Sequence, residues 1–359
     1  MAEQPLDVLV SGLGPAGSRA AAAVAAAGFS VIALERKQSP GRPVQCAEFV
    51  PAMLDQELAG LAPLTRQTIL RMRTFVEAED ADETPDFRGR MIDREAFDSH
   101  LIDLARAAGA DCRFGETVRN ISPDGIVETA NGARYRPRLV IGCDGARSPI
   151  GSAIGATNRD IVETRQTTVA LCSASDSTDV FLRSAIVGGY GWLFPKKGSA
   201  NLGVGVTASE RRQLKPLLDG LCADLVADRQ IDAETTGYTG GAIPVGGRIR
   251  CTGQLGDAPV MLAGDAAGLA NPITGAGIAA AVQSGQLAGS AAAAWLDGDH
   301  DALTDYDEDL GELFDASLAR ARNHHRAMMT TYREYGSLSP AALRRAWIAY
   351  PDYWEMGVR

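Results

Sequence analysis

The sequence predicts an α/β fold with three parts: a three-layer, mostly parallel sheet, a second, antiparallel sheet, and a short helical C-terminal region. Three observations carry that expectation. Residues 6–36, LDVLVSGLGPAGSRAAAAVAAAGFSVIALER, read as strand, glycine turn, helix and strand. Two further short apolar runs, at 139–143 and 259–264, each end at an Asp, as buried parallel strands ending in a loop do. Between them, residues 160–250 change to Thr- and Val-rich segments punctuated by glycine and aromatics, the pattern of an antiparallel sheet with helices.

The first unit is the most specific. Leu6–Val10 is short, apolar and rich in Val and Leu, as a buried strand requires. Gly12, Gly14 and Gly17 follow in G-x-G-x-x-G spacing, Ala-rich residues 18–27 form a helix, and Gly28 ends it. Phe29–Leu34 is the second strand, closed by Glu35 and Arg36. Gly12 permits the tight turn, Gly14 lets the backbone approach a pyrophosphate, and Gly17 lets helix and strand pack closely. The helix N-terminus adds free N–H groups and a positive dipole end. Glu35 lies where an acid accepts bonds from ribose hydroxyls. The plain alternative is a structural βαβ unit. Flanking strands and the following acid favour a Rossmann-like dinucleotide site.

Composition narrows the class. The chain has 359 residues, enough for one large domain or two intimate ones, and a net charge of −10. That charge argues against nucleic acid as a partner and against basic-patch anchoring to anionic lipid. No apolar run reaches transmembrane length, which leaves only peripheral membrane contact open. Six scattered cysteines without a C-x-x-C point to a reduced, cytoplasmic protein with no zinc or other metal site. None of the four histidines has triad-like company. His324 and His325 lie in a polar helical stretch and read as solvated.

Along the rest of the chain, 37–52 is loop-like, 53–75 reads as irregular helix, and 76–90 as a charged turn or hairpin edge. Residues 91–111 predict a helix capped by Asp93, with a stripe of Phe97, Leu101, Leu104 and Ala108. Residues 112–145 read as strand, hairpin and strand, ending at Asp144-Gly145. Helices are expected at about 209–228 and 273–297. Residues 300–349 read as charged helix with apolar spacing at Leu303, Tyr306, Leu310 and Leu313. The resulting division is a discontinuous nucleotide-binding domain (1–75, 91–158, 251–300), a substrate domain (159–250 with 76–90) and a helical C-terminal region (301–359).

Three fingerprints stand together: GLGPAG with Glu35, GCDGARS at 142–148, and GDAAGLANPITGAGI at 264–278. Over about residues 6–300 the set resembles the FAD-dependent reductases and hydroxylases of the para-hydroxybenzoate hydroxylase-like fold. The resemblance implies non-covalent FAD in the first site. Asp265, at a strand end, would accept bonds from ribityl hydroxyls. Gly277 and Ile278 would turn helix-terminal N–H groups toward the pyrimidine end, where reduced flavin is negative. A plain cap and packing helix is the alternative. Asp144 and Gly145 are expected near the pyrophosphate. Where the group commonly carries an Arg, three residues after the Ser, this chain has Gly151.

The details are most similar to the geranylgeranyl reductases. PVQCAEFVP (43–51) resembles their P-V-x-C-G-E-G loop, and MIDREAFDSHL (91–101) their D-R-x-x-F-D-x-x-L helix. GYGWLFPKKGSANLGVGV (189–206) resembles their Y-x-W-x-F-P segment. Ala276 stands where Glu is frequent, and Phe49 where a small Gly is usual. By position, Ala16, Glu35, Cys46, Ala47, Arg94, Val118, Asp265, Gly275, Gly277 and Ile278 should contact FAD. Cys46 is read as a proton donor, a flavin contact, or a small thiol that merely fits. Phe49, Tyr190, Trp192, Phe194 and Pro195 are expected to line an apolar pocket, with ordinary core as the alternative. The implied reaction is hydride transfer from reduced FAD to a carbon–carbon double bond of an isoprenoid-like or other unsaturated substrate. Electrons would come from NAD(P)H or a reduced electron carrier, including an electron-donor protein. The alternatives are an aromatic or polyketide monooxygenase, a flavin-dependent halogenase, and a non-catalytic flavin-binding redox protein.

Overall fold

A computed structural model describes residues 4–52 and 62–355. Its first sheet runs in the order Thr252–Leu255, Ala258–Leu262, Arg134–Gly142, Gln4–Ser11, Val31–Glu35, Asp111–Phe114. The last five of these strands pair in parallel, and Thr252–Leu255 joins antiparallel at one edge. A hairpin of Val118–Ile121 and Val127–Thr129 extends from Arg134–Gly142. The central strand is first in sequence, and every residue from Val8 to Val10 is fully buried. The glycine turn therefore opens at the carboxyl ends of the parallel strands, the usual ligand crevice of such sheets. Helix Pro15–Ala26 follows the turn and packs against helix Ile278–Leu296.

The second sheet orders Ile231–Thr239, Ile161–Leu171, Ser199–Thr207, Gly191–Lys196, Ser177–Leu182, Arg71–Val76, Asp82–Thr84. It is antiparallel except where Ser177–Leu182 runs parallel to Arg71–Val76. A small sheet of Phe49–Pro51, Gly89–Ile92 and Thr65–Ile69 bridges toward the first unit.

Several expectations need correction. The helix expected over 53–75 is replaced at 65–69 and 71–76 by strands; residues 53–61 of that reading lie outside the described residues. Met72, Thr74 and Val76 alternate inward, the period of a strand. Asp93 does cap its helix, accepting the Ala96 N–H at 3.0 Å, and the helix spans Arg94–Ala107. Its buried stripe runs through Phe97, Leu101, Ile102 and Ala105, while Leu104 is 40% exposed. The helix expected at 273–297 starts later, at Ile278, because residues 271–275 form a turn around the Asn271 side chain, which accepts the N–H groups of Ile273 and Thr274.

At the C-terminus, Tyr306 and Leu310 are buried but Leu313 is 54% exposed. Residues Gly311–Asp315 form a π turn. Its extra residue shifts the helical phase and carries Leu313 off the apolar stripe. His324 and His325 are buried, not solvated. Each ring meets a carbonyl, Tyr353 O at 3.0 Å and Gly188 O at 3.1 Å, and burial holds both pKa values below the ordinary histidine value.

Candidate active site

The glycine turn is built as the spacing requires. Gly12 has φ 96°, and a Cβ there would lie 2.3 Å from the Cys143 carbonyl oxygen. A Cβ on Gly17 would lie 1.7 Å from Gly12 O. Gly14, by contrast, has open space where a Cβ would lie. Glu35 closes the second strand, and its carboxylate accepts the Leu13 N–H at 3.0 Å and the Lys37 N–H at 2.9 Å. Ala16 is buried beneath the turn; Arg36 is exposed.

The second fingerprint braces the turn from below. Asp144 accepts the Ser11 hydroxyl at 3.1 Å, and its other oxygen is buried without a partner. Desolvation raises its carboxyl above the ordinary range. Gly145 follows at φ 85° with open space beside it. Val118 lies half-buried at the hairpin beside the same sheet.

The third fingerprint meets the residues of the 43–51 loop. Gly275 has φ 69°. Gly277 caps helix Ile278–Leu296, and a Cβ there would sit 3.1 Å from Asp265 Oδ1, so the carboxylate faces the helix start. Desolvation pushes the Asp265 carboxyl up to about 6, with the Arg94 guanidinium opposing. Burial works against the Arg94 charge too, but Asp98 and the Cys46 sulfur outweigh it and hold the guanidinium protonated. Arg94 Nε donates to Asp98 at 2.7 Å, and the guanidinium lies within electrostatic reach of the Cys46 sulfur. Segments far apart in sequence thus bring together Cys46, Arg94, Asp265 and Gly277.

Cys46 sits in a loop clasped by the second sheet. The Glu48 N–H donates to its Sγ at 3.2 Å. The Gln166 amide donates to the Cys46 carbonyl at 2.9 Å, and the Asn201 amide to the Ala47 carbonyl at 3.1 Å. Sequence reading missed the centre of this clasp, Glu48. It is 3% exposed and adopts φ 68°, a left-handed conformation uncommon for a residue with a side chain. One carboxylate oxygen accepts the Arg94 N–H at 3.0 Å; the other accepts Asn201 at 2.8 Å and the Lys196 ammonium. The acid between Ala47 and Phe49, matched by a lysine after the W-x-F-P run, was the available signal.

Above the loop stands an aromatic wall. Tyr190, Trp192 and Phe194 alternate along one strand face, and with Phe49 they share an apolar cluster with Ala47 and Ile273. Pro195 is buried at the strand's end. The Tyr190 hydroxyl donates to Thr274 O at 2.6 Å, tying the wall to the third fingerprint. Burial, and then the neighbouring Cys46, raise the Tyr190 phenol and keep it protonated.

A glycine cradle braced by a strand-end acid, together with a thiol, a buried arginine and an apolar wall, defines a flavoprotein oxidoreductase. A family model described as FAD binding domain matches residues 5–321. The digeranylgeranylglycerophospholipid reductase of Methanosarcina mazei is 33% identical over 80% of this chain and 74% of that protein. The protein of the same name from Methanocaldococcus jannaschii is 31% identical over 80% and 76%. A geranylgeranyl bacteriochlorophyll reductase-like protein from Thermoplasma acidophilum superposes with a TM-score of 0.80 at 26% identity, over 98% of each chain. The chain belongs to the geranylgeranyl reductase family of FAD-dependent oxidoreductases. No helix among the described residues is long and apolar enough to cross a membrane.

Proposed function

We propose that the protein reduces a carbon–carbon double bond of an apolar, isoprenoid-like substrate, with Cys46 as proton donor. The setting of the Cys46 sulfur carries this reading. Proton transfer from Sγ leaves a negative sulfur, which the Glu48 N–H already donates to and which the nearby Arg94 guanidinium favours through its positive charge. Such preorganised donors favour the charge that develops during the reaction. In this reading Gly12, Gly14, Ala16, Gly17, Glu35 and Arg36 hold the dinucleotide, with Asp144, Gly145 and Val118 beside them. Arg94, Asp265, Gly275, Gly277 and Ile278 hold the flavin end, next to Cys46 and Ala47. Bound FAD, once reduced, supplies the hydride. Trp192, Phe194 and Pro195 exclude water that would otherwise compete for the transferred proton and hydride. NAD(P)H or a reduced electron carrier in the cytoplasm restores the electrons. The names of the reductase relatives support the substrate class.

The test is a single turnover. Holoenzyme reduced chemically and kept strictly anaerobic should be reoxidised by geraniol, and the product should gain two hydrogens and no oxygen by mass. A product formed only with O₂, and heavier by one oxygen, would replace this reading with the monooxygenase.

Asp265 gives a second expectation. Its carboxyl stands near 6 without ligand, and hydroxyl donors from a ribityl chain would lower it. FAD binding then releases a proton below pH 6. Affinity should rise with pH between about 4 and 6, by at most tenfold per unit, and level off above. Titration of the apoprotein with FAD at several pH values measures this, and Asp265→Asn should flatten the dependence.

A further inference from the structure

We infer that the apolar shelf beside Cys46 is closed at both ends by this chain's own rings, so that the enzyme takes a short isoprenoid, and that Phe49 sets the length limit. The inference rests on the reductase reading above and adds to it that the unsaturated substrate lies along Tyr190, Trp192 and Phe194.

The shelf follows from strand geometry. Alternate residues face one side, so Tyr190, Trp192 and Phe194 share a cluster while Leu193 packs into a different one with Leu202 and Leu221. Trp192 lies against the sheet because its cross-strand partner is Gly203; a Cβ there would come within 2.2 Å of the indole. Tyr190 immediately precedes the strand Gly191–Lys196, and the four residue steps from it to Phe194 span about 13 Å, the length of roughly two to three isoprene units.

Each end of this shelf meets a ring from elsewhere in the chain. At one end Trp347, from the C-terminal region, packs on Tyr190 with ring centroids 4.9 Å apart. Tyr190 is fixed by its bond to Thr274 O, and Trp347 is almost fully buried, so this end is firm. At the other end Phe49 meets Phe194 edge-on at 6.0 Å and stacks on Phe87 at 5.5 Å. Phe49 also lies directly over Gly89, where a Cβ would come within 2.4 Å of its ring. The absence of a side chain at Gly89 leaves room for the phenyl group. Phe49 is half-buried and three residues after Cys46, so the segment that presents the thiol also presents the stop. A chain longer than the shelf must displace this ring.

Hydrophobic burial alone makes a longer prenyl chain bind more tightly, so the opposite order identifies a closed end. The test measures binding of fully saturated alcohols of geranyl, farnesyl and geranylgeranyl length to oxidised holoenzyme, read by tryptophan emission. Wild type should bind the geranyl-length alcohol at least about tenfold more tightly than the geranylgeranyl-length one, the scale on which apolar pockets discriminate. Phe49→Gly should abolish or reverse that order, and Phe49→Leu, which keeps an apolar side chain, should fall between. Phe87→Ala, which removes the stacked neighbour, should shift it in the same direction. Equal or tighter binding of the longest alcohol to wild type overturns the inference, as does an order unchanged across the Phe49 series. Anaerobic single turnover with the matching unsaturated alcohols is measured in parallel. A length limit without reduction counts against the reductase reading alone, and reduction without a length limit counts against Phe49 alone.

Discussion

Cys46→Ser should retain FAD and accept electrons at the wild-type rate, yet form product at least about 100-fold more slowly in anaerobic single turnover, the usual scale of a lost general acid. The serine hydroxyl keeps a similar shape between Arg94 and the Glu48 N–H, so the loop should not move. What changes is the cost of leaving a negative charge behind on that atom. Flavin spectra and stopped-flow reduction check that the cofactor is undisturbed, and product mass checks the chemistry. Wild-type product formation would reduce Cys46 to a packing residue and leave Tyr190 as the nearest alternative donor.

Lys196→Met should lower stability by about 3 kcal/mol, because truncating one member of a buried ion pair strands the other. Glu48 is the stranded group, with its side chain 4% exposed. The Asn201 amide and the Arg94 N–H remain, so the loss should not exceed that range. For a chain of this size the melting temperature should fall by roughly 4 °C. Lys196→Arg should recover most of it. The double variant Lys196→Met with Glu48→Gln should be more stable than Lys196→Met alone, since no unpaired charge is then buried. Calorimetry of wild type, the single variants Lys196→Met and Glu48→Gln, and the double variant decides the matter. Strict additivity of the two single changes would show that the ion pair contributes nothing as a pair.

The cofactor sheet was legible because its requirements are local. Gly12, Gly14, Gly17 and Glu35 fall within one βαβ unit, and the turn they predict is the turn observed. Asp93 as a helix cap is of the same kind. The errors arose where distant parts decide. The Arg71–Val76 strand is established by pairing with Ser177–Leu182, over a hundred residues away. His324 and His325 look solvated in a charged helix until Tyr353 and Gly188 fold over them. Leu313 fits a 3.6-residue stripe and leaves it only because Gly311–Asp315 is a π turn, which the spacing does not announce. Among the site residues, Cys46 and Arg94 stood in recognisable motifs. Glu48 and Lys196 did not declare themselves, because each is explained only by the other.

The clasp around Glu48 has a kinetic consequence. The residue is riveted on one side to Arg94, at the start of a helix beside the cofactor sheet, and on the other to Asn201 and Lys196 in the second sheet. Swinging the two sheets apart would expose a buried carboxylate and break these bonds together. The molecule therefore has no low-energy hinge at this seam, and traffic of substrate and product falls to the movement of rings such as Phe49 and Phe87 at the margin. Such motions are local and fast, whereas opening the seam approaches global unfolding. The amide of Ile92, which donates to the Glu48 carbonyl at 2.9 Å, should accordingly exchange with solvent deuterium as slowly as the amides of the central strand Gln4–Ser11, even during turnover.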